Sequence, residues 1–207
     1  MRVPSWVVLS SAAAPVLLIG GWSLAARRQP GGFDSGVETI SALAALDANE
    51  RWIMTGALAG VGLCHLMTAA GLHPASPLGR AVLALGGAAT VGVAAFPLPA
   101  GGGSSAAHTA TAAVAFGALA VWPLLSPRRG GRDAAAVRRP DAAWALRPAS
   151  AVVAGAVLLG LVGWFGVTLG TGERVGLAER VAAGAQALWP FVVVLAARRA
   201  SVDPSRL

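Results

Sequence analysis

Residues 148–169 read PASAVVAGAVLLGLVGWFGVTL, without a single charge. A helix crosses the hydrocarbon core of a bilayer with about 20 mostly apolar residues, so this stretch alone points the chain away from water. Five further stretches meet the same requirement, at about 4–26, 51–72, 77–98, 107–126 and 177–197. Hydrophobic residues make up 56% of the 207 and charged ones only 12%, which excludes an ordinary soluble domain. The expectation is an all-α polytopic membrane protein, one six-transmembrane-helix bundle over residues 1–207. Its loops are short except for an acidic one at 33–50 and an Arg-rich one at 127–147.

Arg2 followed by an apolar stretch ending in SLAA also resembles a signal peptide. The stretch from Val3 to Ala26 is far longer than a signal core of roughly 7–15 residues, which favours a retained first span. The lone cysteine, Cys64, lies within span two and makes no disulfide inside the chain. All 16 basic residues are Arg. With the N-terminus in the cytoplasm, eleven Arg fall inside and five outside, as the positive-inside rule requires. Both termini are therefore expected to be cytoplasmic, with the protein multi-pass in a bacterial cell membrane; the lysine-free, Ala-, Gly- and Arg-rich composition looks actinobacterial. The net charge of +7 reports topology and contact with anionic lipid. No aromatic-interleaved basic patch points to nucleic acid.

Gly and Ala recur three and four positions apart in TGALAGVGLCHLMTAAG and ALGGAATVGVAA. Such faces let helices approach closely in a membrane, and Gly56, Gly60, Gly86 and Gly87 are read as packing positions. The orientation puts Trp22, Trp52, Trp164, Phe33, Phe96 and Phe165 in the outer leaflet and Trp6, Trp122 and Trp144 on the inner side. An interfacial belt accounts for most of them. Trp189, followed by Pro190 within span six, fits a belt least well and could line a pocket.

The acidic loop, FDSGVETISALAALDANERW at 33–52, sets Asp34, Glu38, Asp47 and Glu50 between the first two spans. SGVE matches a capping box in which Ser35 caps a helix and Glu38 reaches back to the capping N–H. Val37, Ile40, Leu43 and Ala44 would share one face of a short amphipathic helix at about 36–46, too short to span and placed at the outer interface or as a re-entrant lid. A carboxylic acid at such an interface is partly desolvated, a condition suited to proton donation. His108, Glu173, Arg174, Glu179, Arg180 and Gln186 fall on the same side. Arg180 would pair with Glu179, Glu38 or Asp34, because a charge within a span is normally paired or functional. Arg51 beside Trp52 reads as an interfacial anchor.

Several chemistries are excluded. His108 lies at the outer end of span four and His65 about fourteen residues, roughly 21 Å, down span two, so the two do not share a haem. With His73 on the cytoplasmic side, three histidines at three depths build no zinc site. There is no HExxH, GxSxG, P-loop or dinucleotide glycine pattern. His65 with Cys64 reads as a buried, locally hydrogen-bonded pair.

The order FDSGVETISALA, WIMTGALAGVGL, VGVAAFPLPAGG with a following AAH, and GLAERV with ALWP resembles the six-span bacterial membrane family known as domain of unknown function 998. The resemblance covers nearly the whole chain and implies the six-helix fold, with polar residues pooled on the outer side. It implies no reaction. A second likeness, of architecture and residue type without an alignable motif, is to compact integral-membrane terpene cyclases, which lack DDxxD motifs and start from a protonated carboxylic acid.

That likeness implies an acid, Glu38 or Asp34, protonating an epoxide or alkene, and a second carboxylate taking the final proton, with Glu179 in the catalytic set. Trp22, Trp52, Trp164 or Trp189 would shield the carbocation, with Phe96, His108, Arg180 and Gln186 completing the substrate-binding set. No metal or cofactor is expected. The expected partners are membrane lipid and a hydrophobic prenylated small molecule, not nucleic acid, and the oligomeric state stays open. The competing readings are a non-catalytic lipid-binding or accessory subunit, and a transporter, which the nearly uncharged core and the lack of an inverted repeat disfavour.

Overall fold

A computed structural model describes residues 3–128 and 143–200. Most of the Arg-rich loop, together with Arg2, Asp203 and Arg206, lies outside the described residues. Six α-helices follow one another: α1 Ser5–Arg27, α2 Trp52–Gly71, α3 Pro77–Ala95, α4 Ala106–Leu125, α5 Pro148–Thr171 and α6 Val175–Ala200. Each is long and apolar enough to cross a membrane. Neighbours in sequence pack on each other, and α6 returns against α1 to close the ring. Residues 3 and 200 lie at the same end of the bundle, the proximal end, with the turns at 72–76 and 126–128; the distal end carries residues 28–51, 96–105 and 172–174.

Helix boundaries follow local chemistry. Ser76 and Ser105 cap α3 and α4, accepting from Gly79 N at 3.0 Å and His108 N at 3.2 Å. The third span ends at Ala95, short of the expected 98, because Phe96 precedes Pro97 and adopts φ −115°, ψ 72°.

Small residues set the α2–α3 distance. A Cβ on Gly62 would lie 2.5 Å from the Gly87 carbonyl oxygen, and one on Gly87 would lie 2.7 Å from that of Gly62. Gly60 and Gly86 likewise meet Leu17 and Leu119, whereas Gly56 faces open space and is no packing position. Polar cross-links are few. Ser10 and Thr68 share a hydrogen bond at 3.0 Å between α1 and α2, and Gln186 Nε2 on α6 donates to the Phe116 carbonyl on α4 at 2.8 Å.

Two further expectations fail. His65 is buried, but neither ring nitrogen has a hydrogen-bond partner, so it forms no bonded pair with Cys64. The helix expected at 36–46 is a turn followed by one 3-10 turn at Ser41–Ala44. The carbonyls of residues 35–38, which an α-helix would use for its own N–H groups, are all taken by α6. Ile40, Leu43 and Ala44 still point inward, joining Met54, Leu58 and Ala25 in the distal core, whereas Val37, expected on the same face, is exposed because its backbone is held by α6 outside any helix.

Candidate functional site

The distal site is a clasp between the 34–41 turn and the start of α6. At a helix N-terminus the first N–H groups lack intrahelical partners. Here Gly176 N donates to Val37 O at 3.1 Å and Leu177 N to Gly36 O at 3.0 Å. Arg180 Nη1 donates to Ser35 O at 2.8 Å, Glu38 O at 2.7 Å and Gly176 O at 3.0 Å. Glu179, 5% exposed, turns the other way: its Oε2 accepts from Ile40 N at 2.5 Å and its Oε1 from the Ser41 hydroxyl at 3.5 Å. The turn thus lends its carbonyls to α6, and α6 lends a carboxylate to the N-terminus of the 3-10 turn.

Within the turn the capping is shifted by one residue from expectation. Asp34, not Ser35, supplies the capping side chain, accepting from Gly36 N at 2.8 Å, while Glu38 reaches back to Asp34 N at 3.0 Å. Both carboxylates are exposed. Arg180 forms no salt bridge with Asp34, Glu38 or Glu179; its partners are backbone carbonyls, with the Phe33 ring centroid 5.6 Å from Cζ. Its Nε and Nη2 are buried without a hydrogen-bond partner. The other acids of the loop serve other contacts: Asp47 accepts from Gly101 N at 2.8 Å, and Glu50 pairs with Arg28 at 3.2 Å.

The remaining sequence candidates scatter. Trp22 is half-buried, its Cη2 3.6 Å from where a Cβ on Gly184 would sit. Trp52 is exposed beneath the Arg51 guanidinium, 3.9 Å from ring to Cζ, as an interfacial anchor would be. Trp164 and Phe96 are also exposed. His108 is buried and donates from Nδ1 to the Phe96 carbonyl at 2.8 Å, tying the end of α3 to the start of α4. Among the described residues no three His, Cys, Asp or Glu side chains gather to hold a metal.

Trp189 belongs to a different place. An open groove of about 530 Å³ runs between α5 and α6 at the proximal half, walled by Trp144, Ala149, Val153, Val157, Leu188 and Trp189 among others. Trp144 meets Trp189 edge to face, centroids 6.3 Å apart. The Trp189 indole N–H is buried and unpartnered. Among the described residues no carboxylate lines this groove. Glu179 lies ten residues from Trp189 along α6, roughly 15 Å, so acids and groove occupy opposite halves of the bundle. The sequence reading missed Gly176 and the α5 wall: Gly176 is one glycine among many, and the α5 positions look like any lipid-facing stretch.

A family model described as "Protein of unknown function (DUF998)" matches residues 12–196. The chain belongs to this DUF998 family. No curated protein and no solved structure matches it. The DUF998 match contains both halves of the clasp and the whole groove.

Proposed function

We propose that this DUF998 protein binds a hydrocarbon chain of a lipid or isoprenoid in the α5–α6 groove without transforming it. The observation supporting this reading is the groove itself, open, apolar and lined by two packed indoles. Five distal carboxylates favour it too, because Asp34, Glu38, Asp47 and Glu179 hydrogen-bond to backbone and Glu50 pairs with Arg28 in holding loops. Fatty acids brominated along the chain should quench tryptophan fluorescence of the purified protein saturably, and quenching should fall in the Trp144→Phe, Trp189→Phe double variant. Unsaturable quenching, indifferent to those substitutions, would remove the reading.

A second reading, acid-initiated cyclisation of a prenylated substrate, draws on Glu179. It is a buried carboxyl group bonded to Ile40, whose cluster takes in Trp22 and Phe33. On this reading Glu179 replaces Glu38 as the acid, since Glu38 is exposed. Membranes carrying the protein are given linear and epoxidised prenylated substrates. Cyclic product that disappears in Glu179→Gln establishes the enzyme; no product leaves the binding reading alone.

We further place both termini in the cytoplasm, from the excess of Arg at the proximal end. An impermeant maleimide should label Ser35→Cys, in a Cys64→Ala background, on intact cells. Labelling only after lysis would invert the protein.

A further inference from the structure

We propose that the bundle admits water from its proximal end as far as His65, along a polar seam between two apolar cores. The seam is independent of the α5–α6 groove. Met54, Leu58, Val61, His65, Thr68 and Leu72 follow one another at spacings of four and three, so they share the buried face of α2 and the residue after it. Met54, Leu58 and Val61 belong to the distal core and Leu72 to the proximal one. His65 and Thr68 lie between them. On α1, Ser10 and Ser11 likewise separate Val7 of the proximal core from Ala14 of the distal one. Ser10 shares its hydrogen bond with Thr68, so the polar side chains of two packed helices meet where the apolar clusters part.

The seam holds more hydrogen-bonding capacity than it uses. His65 is 1% exposed and both its ring nitrogens lack a partner, although a neutral imidazole presents one donor and one acceptor. Pro15 and Pro190 carry no N–H, so the carbonyls of Ser11 on α1 and Gln186 on α6, four residues earlier, are left without their helical donors. Both of those residues are buried. An unpaired buried polar group costs about 1–3 kcal/mol, and an internal water supplies the missing bonds by joining several such groups.

The proximal end is the nearer one. His65 is about 9 Å from Gly71, where α2 ends, and about 20 Å from Trp52 at the distal end. Thr68 and Ser10 lie on the short way, whereas the same face of α2 is apolar on the long one. Just distal to His65 the α2 and α3 backbones close on each other at Gly62 and Gly87.

The test is hydrogen exchange by solid-state NMR on isotope-labelled protein in lipid vesicles moved to deuterated water, the His65 ring signals being those lost in His65→Asn. The His65 ring N–H should exchange within minutes while the amides of Leu58 and Val61 persist for days. Thr68→Val, which removes the hydroxyl and nearly keeps the volume, should slow the ring exchange roughly fivefold, the equivalent of one hydrogen bond. Thr68→Ser should restore the rate, and Val61→Thr, on the far side, should leave it unchanged. A ring N–H as persistent as those amides overturns the proposal. Exchange of ring and amides at one rate overturns it as well, because the whole bundle is then opening. A rate unmoved by Thr68→Val, or raised by Val61→Thr, shows that water arrives by another way and overturns the proximal route.

Discussion

The Glu179 carboxylate accepts the Ile40 N–H at 2.5 Å across 139 positions of the chain. It joins the last membrane helix to the loop after the first. A carboxylate receiving a buried backbone N–H holds it more firmly than a neutral acceptor does. Glu179→Gln should therefore lower stability in detergent by about 1.5–3 kcal/mol. Glu38→Gln alters an exposed acceptor within its own turn and should shift stability by less than about 1 kcal/mol. Thermal unfolding of the two variants side by side checks the ranking; an equal loss would show that the clasp is not carried by Glu179.

Gly176 is where the clasp leaves no room. A Cβ there would collide with the Glu38 carbonyl oxygen and approach Ser35 O at 2.7 Å and Arg180 Nη1 at 2.8 Å. Two of these are backbone atoms held by other bonds, so the turn must lift. Gly176→Ala should lower stability by about 2 kcal/mol or more and open the 34–47 loop to protease. Gly163→Ala, into open space on α5, should cause no loss, since Ala is the better helix former. A protease-resistant loop in Gly176→Ala would contradict the clasp.

The six helices are readable from the length of their apolar stretches, because a bilayer forces every backbone group to bond within its own helix. The 36–46 segment is not. Its amphipathic pattern and capping signal are real, and Ile40, Leu43 and Ala44 do turn inward, yet Arg180 and Glu179 claim its backbone from 140 residues away. Local propensity cannot register such a competitor. The pooling of acids was misleading in a similar way: Asp34, Glu38, Asp47 and Glu50 share a loop but bond to four different partners. Trp189 was singled out because it fits an interfacial belt poorly, and it lines the groove; its partner Trp144, at a helix edge, looked like a belt residue.

The Gly62–Gly87 contact should set the α2–α3 spacing. A methyl at Gly62 meets the Gly87 carbonyl at 2.5 Å and Val91 N at 2.9 Å, both backbone. Without a hydrophobic force between helices in lipid, close packing is what holds them. Gly62→Ala should lower the unfolding midpoint by the equivalent of about 1–3 kcal/mol, whereas Gly56→Ala, facing open space, should leave it within about 0.5 kcal/mol. A matching loss for both would show that the Gly62–Gly87 contact does not set the spacing.

Glu50 combines two small opposing terms. Its φ of 47° lies in the left-handed region, which costs a side-chain-bearing residue roughly 1–2 kcal/mol. Its ion pair with Arg28 is about half exposed on both sides, 54% and 48%, and is worth about 0–1 kcal/mol. Glu50→Gln keeps the strain and loses only the pair, so a loss of at most about 1 kcal/mol is expected. Glu50→Gly loses the pair and also the strain, so its stability should equal or exceed that of Glu50→Gln despite the greater freedom of its unfolded chain. Raising the ionic strength should narrow the gap between wild type and Glu50→Gln, because an exposed pair is screened. The gap between the two variants is a backbone effect and should not respond to salt. Unfolding midpoints at low and high salt separate the two terms, and a Glu50→Gly protein weaker than Glu50→Gln would show that the left-handed backbone stores no strain.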